Sequence, residues 1–227
     1  MLDCLLLTSQ TNSVLREELD LEPIELDSPK ADKLKAKYLK DQELLQYTTN
    51  KPPLLSPPPK ERVLTALSQF ENGTLDSWPH LYLEMTLLPT STHYNAGFEV
   101  DITTFPGWKD ADEETKRRIV EAAKQYIFQG EPETDKWLGT NSFSCSALGG
   151  YRALRLIALA DPDFILTISA NYWQKWAAIV LAFPNAREDK NKAIRQQLVQ
   201  RTYQNASDEF IRALMILIDR DNVQQGS

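Results

Sequence analysis

Apolar residues recur along most of the chain at the three- and four-residue spacing of amphipathic helices. The densest apolar stretch runs from Gly149 to Phe183 and is interrupted by Asp161-Pro162-Asp163, a sequence typical of a turn and helix cap. We therefore predict two helices there, with the second packed back on the first. Trp173 and Trp176 share one face of the second helix and are predicted to lie in the core.

The same spacing predicts further helices, each bounded by capping residues, glycine or proline. They are expected at Pro29 to about Tyr47, Lys60–Glu71, Ser77–Leu88, Asp110–Ile127, Asp189–Gln204 and from Ser207 onward. The last of these has the most regular apolar stripe, made of Phe210, Ile211, Leu214, Leu217 and Ile218.

Two stretches that begin at Asp161 and Ser207 resemble each other, because an acidic break precedes a Phe-Ile pair in both. The offset is about 46 residues, within the period of HEAT and armadillo repeats. A true repeat and simple packing of helix pairs both explain this single offset. We predict an all-α fold in which antiparallel helix pairs stack as a HEAT/armadillo-like solenoid, after an irregular N-terminal segment.

The stretch from Lys51 to Pro59 contains five prolines and is predicted to be a stiff linker. It divides the chain into an N-terminal segment with one charged helix (1–50), the linker (51–59), a helical-repeat domain (60–222) and a tail (223–227). A ligand for an aromatic groove is the alternative interpretation of this proline-rich stretch, but basic residues do not flank it on both sides.

The net charge of −7 disfavours nucleic-acid binding, which needs a local excess of Lys and Arg. The two cysteines, Cys4 and Cys145, are too few for a disulfide scaffold or a four-thiolate zinc site. No apolar run approaches the roughly 18 residues of a membrane span, and no signal peptide is recognisable. These features predict a cytoplasmic protein that binds neither membranes nor cofactors and whose partners are proteins.

No motif for phosphate, dinucleotide or metal binding is present, so no catalytic, cofactor or metal residue is assigned. Gly149-Gly150 is interpreted as a close-packing or helix-start feature. A triad drawn from His93, Cys145 and Asp163 has no local support. Long structured loops are often functional, and Thr90 to Lys109 is the longest irregular stretch, with a short strand or an extended loop as its expected form. The candidate site residues are those of this loop and of the following connection, namely His93, Tyr94, Phe105, Trp108 and Trp137.

Three stretches of the chain resemble parts of the C-terminal helical regions of large bacterial STAND-type (NACHT-like) signalling NTPases. They are Lys60–Met85 (KERVLTALSQFENGTLDSWPHLYLEM), Thr104–Ile127 (TFPGWKDADEETKRRIVEAAKQYI) and Thr134–Ile157 (TDKWLGTNSFSCSALGGYRALRLI). The resemblance implies a sensor or scaffold array. The nucleotide-binding motifs of that family have no match here, so no catalytic residue carries over. On this basis the chain is expected to be a fragment or a partner of a larger signalling NTPase.

The favoured hypothesis is a non-enzymatic helical-repeat scaffold or sensor module that mediates protein–protein interaction. The alternative is an enzyme or small-molecule-binding protein that uses the loop at 90–109. A third hypothesis is a nucleic-acid sensor, which the acidic balance disfavours.

Overall fold

The computed structural model describes residues 25, 27–48, 54–94, 101–140, 142, 144–183 and 192–225. The chain divides into two compact units, Met1–Pro52 and Pro53–Ser227, which we describe separately. In the first unit, α1 spans Pro29–Thr48, and the hydroxyl of Ser28 accepts a hydrogen bond from the Ala31 N–H at 3.2 Å. This is the helix start that the sequence predicts. The irregular segment expected before it lies outside the described residues over 1–24.

All regular secondary structure in the described part of the second unit is helical. The all-α prediction is therefore confirmed for the residues that the structure describes, which contain no strand. The helices are α2 (Pro59–Glu71), α3 (Ser77–Met85), a 3₁₀ turn (Ile102–Thr104), α4 (Pro106–Lys109), α5 (Glu113–Gln129), α6 (Thr134–Trp137), α7 (Cys145–Ala160), α8 (Pro162–Thr167), α9 (Ala170–Ala182), α10 (Lys192–Asn205) and α11 (Ser207–Gln225).

The loop predicted from Thr90 to Lys109 is more regular than the sequence indicates. Its second half forms the 3₁₀ turn and α4, whereas the sequence predicts either a short strand or an extended loop there. Asp101 explains the turn, because its carboxylate accepts hydrogen bonds from the Thr103 N–H at 3.0 Å and the Thr103 hydroxyl at 2.5 Å. Residues 95–100, with Phe98 and Val100 of the expected strand, lie outside the described residues.

Capping side chains begin several helices where the sequence predicts them. Asp112 accepts from the Thr115 N–H at 2.8 Å at the start of α5, and Asp161 accepts from the Phe164 N–H at 3.2 Å at the start of α8. Ser144 does the same for α7 through the Ala147 N–H at 2.9 Å, although the sequence predicts this helix only from Gly149. Each oxygen satisfies a backbone donor that the first turn of a helix leaves unpaired. The interpretation of Asp161-Pro162-Asp163 as a break and a cap is confirmed.

Helix α7 lies at the centre of the second unit. It packs against α3, α5, α8, α9, α10 and the 3₁₀ turn. Some of these elements precede α7 in the sequence and others follow it. Around it, α2 packs on α3, and α9 packs on α10 and α11. Eleven of the sixteen residues of α7 are buried. In a solenoid each repeat contacts only its neighbours, whereas packing here is centred on one helix, and stacking as a HEAT-like solenoid stays a prediction.

The offset of about 46 residues relates elements of different kinds. Asp161 starts α8, which has 6 residues, whereas Ser207 starts α11, which has 19. Ile165 is buried, but Ile211, which matches it in the sequence, is half exposed. The two positions therefore face different surroundings.

Large aromatic side chains link α7 to its neighbours. The indole N–H of Trp78 donates to the Gly149 carbonyl at 2.9 Å, and that of Trp176 donates to the Ile127 carbonyl at 2.9 Å. The Tyr126 ring lies between the two indoles, with centroids 5.8 Å from Trp78 and 6.0 Å from Trp176. Both tryptophans are fully buried, and their polar N–H groups are satisfied. The prediction that Trp176 belongs to the core is confirmed.

Gly149 and Gly150 allow these rings to approach the backbone of α7. A Cβ atom added to Gly150 would lie 2.0 Å from Cζ3 of Trp176, and one added to Gly149 would lie 3.2 Å from Cδ1 of Trp78. Of the two predicted roles, close packing and helix start, the structure supports close packing. The helix starts earlier, at Ser144.

Gly150→Ala is expected to lower the free energy of unfolding by about 2–3 kcal/mol, because the new methyl group overlaps the Trp176 ring in a filled core. Gly149→Ala is the matched control in the same helix, since its methyl group needs only a small shift of Trp78. Thermal and urea unfolding of both variants measures the difference. Equal stability losses at the two positions would contradict the close-packing assignment.

Candidate functional site

The five side chains singled out from the sequence lie in three kinds of surroundings. Phe105 and Trp137 are buried in the core, and Trp108 is partly buried against it. The indole N–H of Trp137 donates to the Pro132 carbonyl at 2.6 Å, so this tryptophan fixes its own connection. His93 is exposed, and its Nδ1 lies 3.1 Å from the hydroxyl of the adjacent Thr92. Three of the five residues thus serve packing.

Tyr94, the fifth, belongs to a polar cluster that joins α2, α3 and the loop after α3. The Glu84 carboxylate lies at its centre. It accepts hydrogen bonds from Arg62 Nε at 2.5 Å and from Arg62 Nη2 at 2.9 Å. The Tyr94 hydroxyl donates to the same carboxylate at 2.8 Å, and His80 Nε2 lies 2.9 Å from it. We call these four residues the Glu84 cluster.

Burial and hydrogen bonding oppose each other at Glu84. The side chain is 3% exposed, and this burial by itself raises the pKa of the carboxyl group. Hydrogen bonds from Arg62 and Tyr94 outweigh the burial, so the net pKa lies below its usual value. Conversely, hydrogen bonding to Glu84 raises the pKa of Arg62, and burial together with donation to Glu84 raises the pKa of Tyr94. The carboxylate is therefore held ionised.

The side chains of the Glu84 cluster differ in their exposure to solvent. The His80 side chain is 48% exposed, so a ligand can reach it, whereas Glu84 is enclosed. A half-exposed imidazole that is oriented by a buried carboxylate is the arrangement of a general base or of a pH-sensitive contact. His80 is not among the residues singled out from the sequence, and the spacing of four residues between His80 and Glu84 on one helix is the signal that would have linked them.

Two buried arginines on α7 are further polar residues that the sequence did not single out. Arg152 and Arg155 occur within an otherwise apolar helix and are almost fully buried. The guanidinium carbon of Arg152 lies 3.9 Å from the centroid of the Tyr82 ring, a cation–π distance. Burial raises the pKa of Tyr82, although the charge of Arg152 opposes this effect. The arginines thus contribute to packing inside the unit.

An acidic cleft of about 510 Å³ lies between the connection after α5 and helices α9 and α11. Three of its four carboxylates have basic partners, since Glu131 pairs with Lys175, Glu133 with Lys136 and Glu209 with Arg212. Lys175 crosses one end of the cleft and donates to the carbonyls of Phe128 at 3.1 Å and Gly130 at 3.0 Å. These bonds satisfy carbonyl groups at the C-terminal end of α5, where positive charge is favoured. The cleft is therefore largely charge-compensated.

Among the described residues of the second unit, the most exposed regular apolar surface lies on α11. Ile211, Leu214, Met215 and Ile218 are 50%, 38%, 53% and 42% exposed, respectively. They are spaced i, i+3, i+4 and i+7, and so they fall within about 100° of one another around the helix. We call them the α11 stripe. The opposite face of α11 packs inward through the buried Ala213.

The position of this stripe differs from the sequence-based expectation. Three of its residues, Ile211, Leu214 and Ile218, belong to the stripe that the periodicity predicts. A regular apolar stripe normally faces the core, but here it faces outward. The helix is apolar on two faces, because the sequence from Phe210 to Ile218 contains only one charged residue, Arg212. This surplus of apolar residues is the signal that a second surface is available.

Comparison with protein-family models, curated proteins and solved structures gave no match to this chain. The resemblance to the helical regions of STAND-type NTPases therefore stays a prediction. Among the residues that the structure describes, no group of three or more potential ligands is placed to hold a metal ion. Within that same part of the chain, no helix has the length and apolar character needed to cross a membrane.

Glu84→Gln is expected to lower the free energy of unfolding at neutral pH by about 2 kcal/mol, because the Arg62 charge loses its buried ionic acceptor. Glu114→Gln is the matched control, since it removes an exposed Arg–Glu pair of similar geometry and should leave the melting temperature unchanged. Chemical unfolding of the two variants and the wild type measures the effect.

The stability difference between the wild type and Glu84→Gln should depend on pH. The folded pKa of Glu84 lies below the ordinary value of 4.5, so its stabilisation is complete above that value. It is lost as the pH falls through the folded pKa. A difference that grows on acidification would contradict this assignment.

Proposed function

We propose that the chain is a non-enzymatic helical scaffold or sensor module that binds another protein through the α11 stripe. The exposure of Ile211, Leu214, Met215 and Ile218 is the single observation that carries this proposal. Contiguous apolar surface on a folded domain costs free energy in water, and it is a frequent mark of interaction sites. A helix with anchors at i, i+3, i+4 and i+7 is also a common recognition element.

The surroundings of the stripe support a role as a pre-formed surface. The inner face of α11 is attached to α9, and the Arg220 guanidinium donates to the Thr140 carbonyl at 3.2 Å. A helix that is already fixed loses little conformational freedom when a partner binds. The apolar side chains are therefore presented in one arrangement before binding.

The finer features of the proposed function come from the sequence. We propose that the helix pairs act as a repeat-like scaffold in the cytoplasm, with proteins and not nucleic acid as partners, because the chain carries a net charge of −7. The resemblance to the helical regions of STAND-type NTPases supports a link to such a signalling protein. The chain would be either a fragment or a separate partner of it.

Site-specific photo-crosslinking tests the proposed contact. A photoreactive amino acid at Met215 should give a discrete protein adduct in the cells that make the chain, because this side chain lies in the stripe. The same amino acid at Gln125, an exposed polar position on α5, is the matched control. The adduct should disappear in an Ile211→Glu, Ile218→Glu background and form again when its two purified components are mixed.

Two results would count against the proposed contact. One is the same set of adducts from positions 215 and 125, which would indicate random collision. The other is the complete lack of adducts at position 215. Circular dichroism of the double glutamate variant is needed beside the crosslinking, to show that α11 is still folded.

The Glu84 cluster favours a second candidate function, a small-molecule site beside the loop at 90–109. His80 is the accessible group there, and Glu84 orients it. His93, which the sequence placed in the same loop site, contacts only the neighbouring Thr92 hydroxyl through its ring nitrogen in the described residues. The chain has two histidines, so each is a control for the other.

Under this second function, the chain should accelerate hydrolysis of an activated ester such as p-nitrophenyl acetate through the His80 imidazole. His80→Ala should lower that rate by about 100-fold, whereas His93→Ala should retain it. Both variants should keep the wild-type melting temperature within a few degrees, because neither imidazole is buried. Equal rates for the two variants would eliminate the His80 site.

A further inference from the structure

The chemical symmetry of the α11 stripe identifies the kind of partner that it fits. Read in either direction, the stripe has isoleucine at both ends and an unbranched or γ-branched side chain at the two central positions. Ile211 and Ile218 are equivalent about a point between Leu214 and Met215. Leucine and methionine have similar volumes and replace each other readily in packed interfaces. The stripe is therefore nearly palindromic.

Such a pattern suits a two-fold symmetric interface. When two copies pack about a two-fold axis, residue i of one chain contacts residue j of the other, and j contacts i in return. An axis between Leu214 and Met215 makes two α11 helices antiparallel. It places each Ile211 opposite the partner's Ile218, and each Leu214 opposite the partner's Met215. All four apolar side chains of each copy then face an apolar side chain of similar size.

The charges beside the stripe agree with the same arrangement. Arg212 and Asp219 lie on one flank of the stripe, about 20° apart around the helix. The proposed axis places Arg212 level with the partner's Leu217, which is about 3 Å along the helix from the partner's Asp219. Two symmetric Arg–Asp pairs would form. Asp219 is exposed and makes no ion pair with another described residue, so it is available for this contact.

The remaining acids near the stripe do not oppose the pairing. Asp208 and Asp221 are level with each other in the antiparallel arrangement, and two facing carboxylates would repel. They lie on opposite flanks of the stripe, about 140° apart around the helix, so they point away from each other. Arg212 already pairs with Glu209 within α11, and its exposed guanidinium can bridge two carboxylates.

We infer that the occupant of the α11 stripe is a second copy of this chain, bound as a two-fold symmetric dimer through antiparallel α11 helices. This inference rests on the proposed function, because it uses the same surface, and it specifies the partner. The pattern does not suit a head-to-tail contact, which would need two different complementary surfaces.

Sedimentation velocity of the purified full chain over a range of concentrations tests the dimer. The wild type should shift from monomer to dimer as concentration rises. Ile211→Glu should raise the Kd of the dimer by at least about 100-fold, because a carboxylate then faces the partner's Ile218 in the interface. Gln125→Glu, an equal charge change on α5, should leave the Kd unchanged.

The two flanking charges provide a test that a merely unstable variant cannot imitate. Arg212→Asp and Asp219→Arg should each weaken self-association by about fivefold or more, because each variant faces like charge in its own homodimer. An equimolar mixture of the two variants should associate at least as tightly as the wild type, since every flanking pair in the heterodimer is then Arg with Asp. Circular dichroism confirms that each variant is folded before mixing.

The outcomes distinguish this inference from the proposed function. A purified chain that stays monomeric at all concentrations, with a different protein crosslinked at position 215, would overturn the dimer and leave the protein-binding function standing. A monomer without any adduct at position 215 would overturn both. A dimer that Ile211→Glu does not weaken, or variants that fail to associate on mixing, would overturn the antiparallel arrangement.

Discussion

The contact between the Trp176 ring and the backbone of α7 at Gly150 is the constraint on which the second unit depends. Space for the indole exists only because residue 150 has no side chain, and the ring in turn reaches the last turn of α5 through the Ile127 carbonyl. Three helices, α5, α7 and α9, are thereby held at fixed separations. Trp78 and Gly149 repeat the arrangement on the other side, where α3 meets α7.

Most helices of the second unit could be predicted from the sequence because the interactions that form them are local. Capping side chains such as Asp112 and Asp161 satisfy backbone groups three residues away, and the apolar spacing of α5 is short-range as well. The arrangement of the helices was not accessible in the same way. That α7 contacts α3 and α10 follows from tertiary packing over long sequence separations. A period read from one offset does not encode such contacts.

The candidate sites show the same division between local and long-range information. The placement of His93 in a loop followed from the local sequence, and among the described residues its ring bonds only to Thr92. The Glu84 cluster brings Arg62 and Tyr94 together across 32 residues, so a local pattern identifies only its His80–Glu84 pair. The outward face of α11 was hidden for another reason. Periodicity reports that a helix has an apolar face, but it does not report how many neighbours are present to cover that face.

The terminal helices are attached to the rest of the second unit by few buried side chains. Among the side chains that the structure describes in this region, only Leu198 and Thr202 of α10, Ala206 at the junction and Ala213 of α11 are buried. Such a region opens locally at a lower free energy than the tryptophan-rich centre around α7. Anything that occupies the outer face of α11 binds the closed form alone and so suppresses this opening. The strength of association and the local folding equilibrium of the last two helices are therefore thermodynamically linked.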